Sequence, residues 1–202
     1  KDTFPGVSST ASAGAGFERI LGVSGGKAFL SGMEDWNRGL WVSDGTAGGT
    51  RAILDLAVVA GVDVDGTFFF GASAQDGGSL WKTDGTTAGT LFVSRFSPDP
   101  WVSAHPSRFT KVGTRLSFVV DDGVHGSELW TSDGTAAGTR MVKDITPGPV
   151  GSFDSSSSFA DIGGILFFSC GSTPACGLWK SDGTEAGTVP LASLEHVSSL
   201  VN

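Results

Sequence analysis

The chain of 202 residues contains no tyrosine, only two methionines and two cysteines, and its charged residues make up just 17%. Each shortage closes a route. Without tyrosine there can be no sialidase-type Tyr nucleophile. Lys and Arg number 13 against 21 Asp and Glu, a formal net charge of −8, and the cations are not clustered. Phosphate binding needs clustered cations, so nucleic acid is not an expected partner. No apolar run approaches the roughly 20 residues of a membrane-spanning helix, so membrane insertion is not expected either. The chain has no G-x-S-x-G, no H-E-x-x-H and no phosphate-cradling P-loop. Sustained i, i+3, i+4 apolar spacing is missing as well, which leaves helix a minor component. The opening residues KDTFPGVSST lack the basic-then-apolar pattern of a signal peptide, an uninformative absence if the chain is mature or trimmed.

The two cysteines, Cys170 and Cys176, flank a Ser-Thr-Pro turn in SCGSTPACGLW. Hairpin pairing of the flanking strands would bring them together, so a loop disulfide is preferred over two free thiols. It would place the protein outside the cytosol. No second Cys or His pair with ligand spacing accompanies them, so zinc is not expected.

What the chain does have is glycine, 31 residues of it, and 39% hydrophobics. Few charges with many turn-formers suit an all-β protein of short strands. The segment LWVSDGTAGGTR (40–51) returns as LWKTDGTTAGTL, LWTSDGTAAGTR and LWKSDGTEAGTV. Its tryptophans, Trp41, Trp81, Trp130 and Trp179, are spaced by 40, 49 and 49 residues. Periods of about 40 to 50 with several strands per unit are the mark of propeller blades. The third unit reads as four strands, RFTKV (108–112), RLSFVV (115–120), ELWTS (128–132) and TRMVKDI (139–145). First strands begin near Phe17, Val58, Phe109 and Phe159. The expected fold is therefore all-β, a β-propeller of four four-stranded antiparallel blades. The single domain divides into units of approximately 7–56, 57–97, 98–146 and 147–195. Consecutive apolar residues such as Phe68, Phe69 and Phe70 imply strands covered on both faces, as blades between blades are.

The recurring hairpin reads as architecture. Asp44, Asp84, Asp133 and Asp182 are placed to accept backbone N–H bonds across the turn. Gly45, Gly85, Gly134 and Gly183 would supply positive φ, and Gly49, Gly89, Gly138 and Gly187 are expected to do the same. Each Leu-Trp pair alternates on its strand, so both residues pack against adjacent blades and the indole N–H groups need partners.

The stretch SELWTSDGTAAGTRMVKDITPG (127–148) closely resembles the ELWxxDGT repeat of secreted and surface proteins of bacteria, and the resemblance runs through all four copies. It implies a propeller-like fold and an exported location, and says little about ligand. The Glu of the motif occurs once, as Glu128; Gly39, Ser79 and Gly177 replace it elsewhere. A looser likeness links the hairpin to the Asp-box of sialidase-type propellers. In-phase remnants, KDTFPG at the start and SSLVN at the end, suggest a segment of a longer array or a four-unit domain within one. Closure into a small ring is the favoured expectation. The alternative is an open arc that self-associates, because an unclosed propeller exposes strands and apolar faces.

Chemistry must then come from what varies between units. GMEDWNRG, DDGVHGS and the long connection SPDPWVSAHPS supply the candidate ligand-binding residues Trp36, Asn37, Arg38, Trp101, His105, Asp122 and His125. Trp36 and Trp101 beside polar neighbours would suit stacking on a sugar ring; the alternative is that each pins its loop. His105, His125 and His196 show no metal-ligand spacing, and a turn role is preferred for His125. No cofactor is expected, with calcium at Asp121 and Asp122 the one metal candidate. VDVDG (62–66) reads as a hairpin turn. Glu34, Asp35, Asp99 and Asp122 could form a glycosidase pair, but nothing in their spacing recommends one. The expectation is a non-catalytic extracellular binding or adhesion module for a glycan or surface protein. A purely structural scaffold is the alternative and a cryptic hydrolase the least favoured reading.

Overall fold

Short strands joined by glycine turns have no way to satisfy their backbone groups except by pairing with the next strand along. The computed structural model, which describes residues 16–34, 37–74, 77–97, 104–171 and 177–192, shows this pairing throughout. Four successive quartets of strands form four antiparallel sheets, each in meander order, and no helix occurs among the described residues. Blade 1 holds β1 (Gly16–Ser24), β2 (Lys27–Glu34), β3 (Asn37–Ser43) and β4 (Arg51–Leu54). Blade 2 holds β5 (Ala57–Val64), β6 (Thr67–Ala74), β7 (Gly77–Thr83) and β8 (Leu91–Arg95). Blade 3 holds β9 (Ser107–Val112), β10 (Arg115–Asp121), β11 (Ser127–Ser132) and β12 (Arg140–Lys143). Blade 4 holds β13 (Ser158–Ile162), β14 (Ile165–Ser169), β15 (Leu178–Ser181) and β16 (Val189–Ala192). This is the blade architecture of a β-propeller. β1 touches β5, β5 touches β9 and β9 touches β13, so the first strand of each blade lies at the inner edge.

Register is the same in every blade. Trp41 lies opposite Leu30, Trp81 opposite Phe70, Trp130 opposite Phe118 and Trp179 opposite Phe168. Between each of these tryptophans and the preceding leucine the pairing to the fourth strand shifts by a bulge. Alternate residues therefore serve opposite gaps. Phe68 and Phe70 meet Phe29, Leu40, Val42 and Ile53 of blade 1, with the Phe29 and Phe68 rings stacked at 4.2 Å. Phe69, between them, points the other way and joins Leu116, Phe118 and Val120 of blade 3. The third gap is filled by Val119, Leu129 and Val142 against Leu166, Phe168 and Trp179. Leu of the Leu-Trp pair faces the following blade and Trp the preceding one. Among the described residues no apolar cluster spans blade 4 and blade 1, so the four blades form an arc and not the small closed ring expected from the repeat count.

The indole N–H groups fare unequally. Trp81 donates to Ser79 Oγ at 3.0 Å, but Trp130 and Trp179 keep buried N–H groups without a partner. The residue two positions before the Trp explains the difference. It is Ser79 in blade 2, but Gly177, with no side chain, in blade 4, and Glu128, whose oxygens are engaged elsewhere, in blade 3.

Each DGT turn is a closed hydrogen-bond circuit. In blade 3, Asp133 Oδ1 accepts from the N–H of Thr135 at 2.9 Å and from its hydroxyl at 2.7 Å. Thr135 Oγ1 in turn accepts from the N–H of Gly138 at 3.0 Å, and Thr139 donates its hydroxyl to Thr135 O at 2.7 Å. Asp44, Asp84 and Asp182 make the same bonds, and the donated hydroxyl and N–H hold all four carboxyls below the usual Asp range. Gly45, Gly85, Gly134 and Gly183 have φ of 91°, 88°, 85° and 85°. The second glycines do not share this conformation: Gly49, Gly89, Gly138 and Gly187 are absent from the positive-φ region. Their reason is steric, since a Cβ at any of them would overlap the carboxylate of the turn Asp.

The turns also tie blades together. Lys27 donates to Asp84 O at 2.9 Å and Arg51 to Gly85 O at 3.1 Å, gripping the blade 2 hairpin from blade 1. Arg140 and Lys143 grip the blade 4 hairpin through Gly183 O at 3.2 Å and Thr188 O at 3.1 Å.

Candidate functional site

Antiparallel meanders sort the loops onto two rims. The hairpins joining first to second and third to fourth strands, the DGT turns included, lie on one rim. Loops between second and third strands, and the connections between blades, lie on the other. Of the candidate binding residues read from the sequence, Asn37, Arg38, His105, Asp122 and His125 belong to the second rim, opposite the repeated hairpins.

Trp36 and Trp101 lie outside the described residues, as do Asp35, Asp99, Cys176 and His196. Asn37 opens β3, and Arg38 beside it is exposed and pairs with Glu18 Oε1 of β1 at 3.2 Å. An ion pair this exposed adds little stability. His105 is exposed on the connection from blade 2 to blade 3. Asp122 and His125 are brought together. Asp122 Oδ1 accepts from the N–H groups of Val124 and His125 at 2.9 and 2.8 Å, and Oδ2 lies 2.8 Å from His125 Nδ1. Burial raises the Asp122 carboxyl, but the three His125 and Val124 bonds outweigh it and the pKa is lowered, while the carboxylate raises the imidazole. Asp121 likewise caps its own turn, accepting from Gly123 at 2.8 Å. Among the described residues no group of three or more His, Cys, Asp or Glu side chains is arranged to hold a metal. The VDVDG stretch forms the β5–β6 hairpin, with Asp63 accepting from Gly66 at 3.1 Å.

Three residues after His125 stands the one Glu of the repeat motif. Glu128 is fully buried. It accepts the Ser152 hydroxyl at 2.6 Å and the N–H groups of Ile145 and Thr146 at 3.3 and 3.4 Å. These groups belong to the connection from blade 3 to blade 4, so Glu128 fastens that strap over the start of β11. Ser152 completes the contact by donating its N–H to Ser127 O at 2.9 Å. Gly126 and Gly151, both at positive φ, let the two backbones approach more closely than any side chain would allow. Burial pushes the Glu128 carboxyl up to about 7, against the downward pull of its hydrogen bonds. A carboxyl so enclosed acts as a latch and not as an acid open to substrate. The sequence signal was its uniqueness: one Glu among four equivalent positions.

Cys170 is buried at the end of β14, and no free cysteine occurs among the described residues.

No protein-family model matches the chain, and no curated protein matches it. Solved structures do. A puromycin hydrolase mutant is similar over 88% of this chain and 31% of its own, at 16% identity and a TM-score of 0.59. A second puromycin hydrolase structure is similar over 79% of this chain and 26% of its own, at 15% identity and a TM-score of 0.50. One of two prolyl endopeptidases is similar over 88% of this chain and 26% of its own, at 18% identity and a TM-score of 0.50. The likeness is to their β-propeller domains and defines the fold. The chain spans roughly a quarter to a third of the length of these proteins.

Proposed function

We propose that this chain is a non-catalytic, exported binding or adhesion module that meets a glycan or surface protein through the loop rim opposite the DGT hairpins. One observation carries the reading: the repeated DGT hairpins are spent on architecture, while the loops between second and third strands and the connections between blades share the opposite rim. The turn aspartates are closed into their own hairpins, and Asp122, His125 and Glu128 hold loops in place. Arg38 and His105 on that rim, with Trp36 and Trp101 of the variable stretches of the sequence, suit a sugar ring stacked on an aromatic face with hydrogen bonds at its edge. The resemblance to the ELWxxDGT repeat supports an exported location. A glycan array tests the reading, with Trp36→Ala and Trp101→Ala as controls. Binding should fall at least tenfold in one variant, and signal no higher than background for the parent chain would remove the glycan version. Turnover in a mixed glycoside and peptide screen would overturn the non-catalytic part.

A disulfide between Cys170 and Cys176 belongs to the same proposal, since it would clamp the blade 4 rim loop in an oxidising compartment. Intact mass should rise by two protons on reduction; an unchanged mass removes the bridge.

The scaffold reading draws on the inter-blade clamps from Lys27, Arg51, Arg140 and Lys143, which make the arc self-supporting without a ligand. It gains if the array is blank and the chain stays folded.

A further inference from the structure

We infer that blade 3 binds one ordered water, which accepts the indole N–H of Trp130 and donates to Asp144 Oδ1, fastening the start of the blade 3 to blade 4 connection to β11. Two buried atoms of opposite kind carry this. Trp130 Nε1 can only donate and a carboxylate oxygen such as Asp144 Oδ1 can only accept. Both are shut off from solvent with no hydrogen-bond partner. Buried polar groups are almost always paired, with protein or with ordered water.

Register brings the two atoms to one face of the blade. β11 and β12 pair Leu129 with Lys143, so the ladder carried one step further sets Glu128 against Asp144. Blade 2 makes that step, with Leu80 opposite Ser94 and Ser79 opposite Arg95. Cross-strand partners share a face, and so do Glu128 and Trp130, two positions apart. Asp144 adds its charge to burial in raising the Glu128 carboxyl, as a neighbour would.

Blade 2 also shows what the tryptophan requires. There Ser79 Oγ accepts the Trp81 N–H at 3.0 Å and donates to Ala72 O at 3.4 Å. Glu128 stands where Ser79 does, opposite Val120 as Ser79 is opposite Ala72. Its oxygens, however, are taken up by Ser152, Ile145 and Thr146. Phe96, edge-on to the indole at 5.3 Å between centroids, helps hold the ring as it is. The occupant must therefore accept and donate at once. A cation would meet the indole N–H, and an anion would meet the carboxyls of Asp144 and Glu128. Water does both, and a buried water typically makes about 3 hydrogen bonds. Trp130 Nε1, Asp144 Oδ1 and the Val120 carbonyl supply that set.

Diffraction from crystals of the 202-residue chain should show one density peak within hydrogen-bond distance of both Trp130 Nε1 and Asp144 Oδ1. In solution the Trp130 indole proton, assigned by its loss in Trp130→Phe, should cross-relax with water with the sign of a long-lived bound molecule. Asp144→Leu should abolish that signal, whereas Asp144→Asn, which keeps an oxygen acceptor, should retain it. An indole N–H bonded directly to a protein atom, or no peak joining the two atoms, would overturn the inference. A water signal indifferent to Asp144→Leu would do the same. If Asp144→Leu does not fold, the density and the water signal of the parent chain decide.

Discussion

Replacing Gly138 by alanine should destabilise the protein by about 2–4 kcal/mol, although the backbone there is ordinary for any residue. The added methyl would overlap the Asp133 carboxylate, which must leave its place on the Thr135 N–H and hydroxyl. That forfeits the cap and disturbs the β11–β12 hairpin at once. The cause is separable by a double-mutant cycle. In an Asp133→Ala background the methyl has nothing to displace, so Gly138→Ala should add less than about 0.5 kcal/mol to the cost of Asp133→Ala alone. Urea midpoints of the four proteins decide it. Additive losses would show that Gly138 is required for its backbone after all.

Glu128 carries the second large effect. Glu128→Ala removes the acceptor of the Ser152 hydroxyl and of the Ile145 and Thr146 N–H groups in a fully buried site. Unpaired buried donors and the space left behind together cost about 2–4 kcal/mol. Glu128→Gln keeps an acceptor and the volume, and its loss should be smaller at low pH. The two differ from the parent in their pH dependence. The folded-state pKa of Glu128 is raised from 4.5 to about 7, so the folded protein binds this proton more tightly than the unfolded chain. The stabilisation is therefore complete below pH 4.5 and is lost as pH rises through about 7. Parent stability should fall by about 2–3 kcal/mol relative to Glu128→Gln between these limits and level off above them. Parallel pH profiles for parent and Gln variant would show that the latch does not titrate.

Much of the fold was legible because its signals are local. A DGTxxGT turn is completed by bonds among residues within a few positions of one another, so Asp133, Thr135 and Gly138 announce their hairpin wherever they occur. The regular tryptophans marked the blades because each third strand is built in the same register. Gly138 shows where such reading stopped: two glycines in one turn looked alike on the page, yet Gly134 is needed for its φ and Gly138 for the carboxylate beside it. Glu128 was visible as an oddity, but its partners lie 17 to 24 residues further on, beyond the reach of any local hydrogen-bond pattern.

The sequence by itself determined the strand, the turn and the number of blades, since these follow from hydrogen bonds and side-chain alternation over a few residues. Only the tertiary structure decided that Glu128 fastens a strap and carries a raised pKa. Those outcomes depend on which distant surface arrives above a residue, and burial, unlike a turn, is conferred by neighbours that the local sequence does not contain.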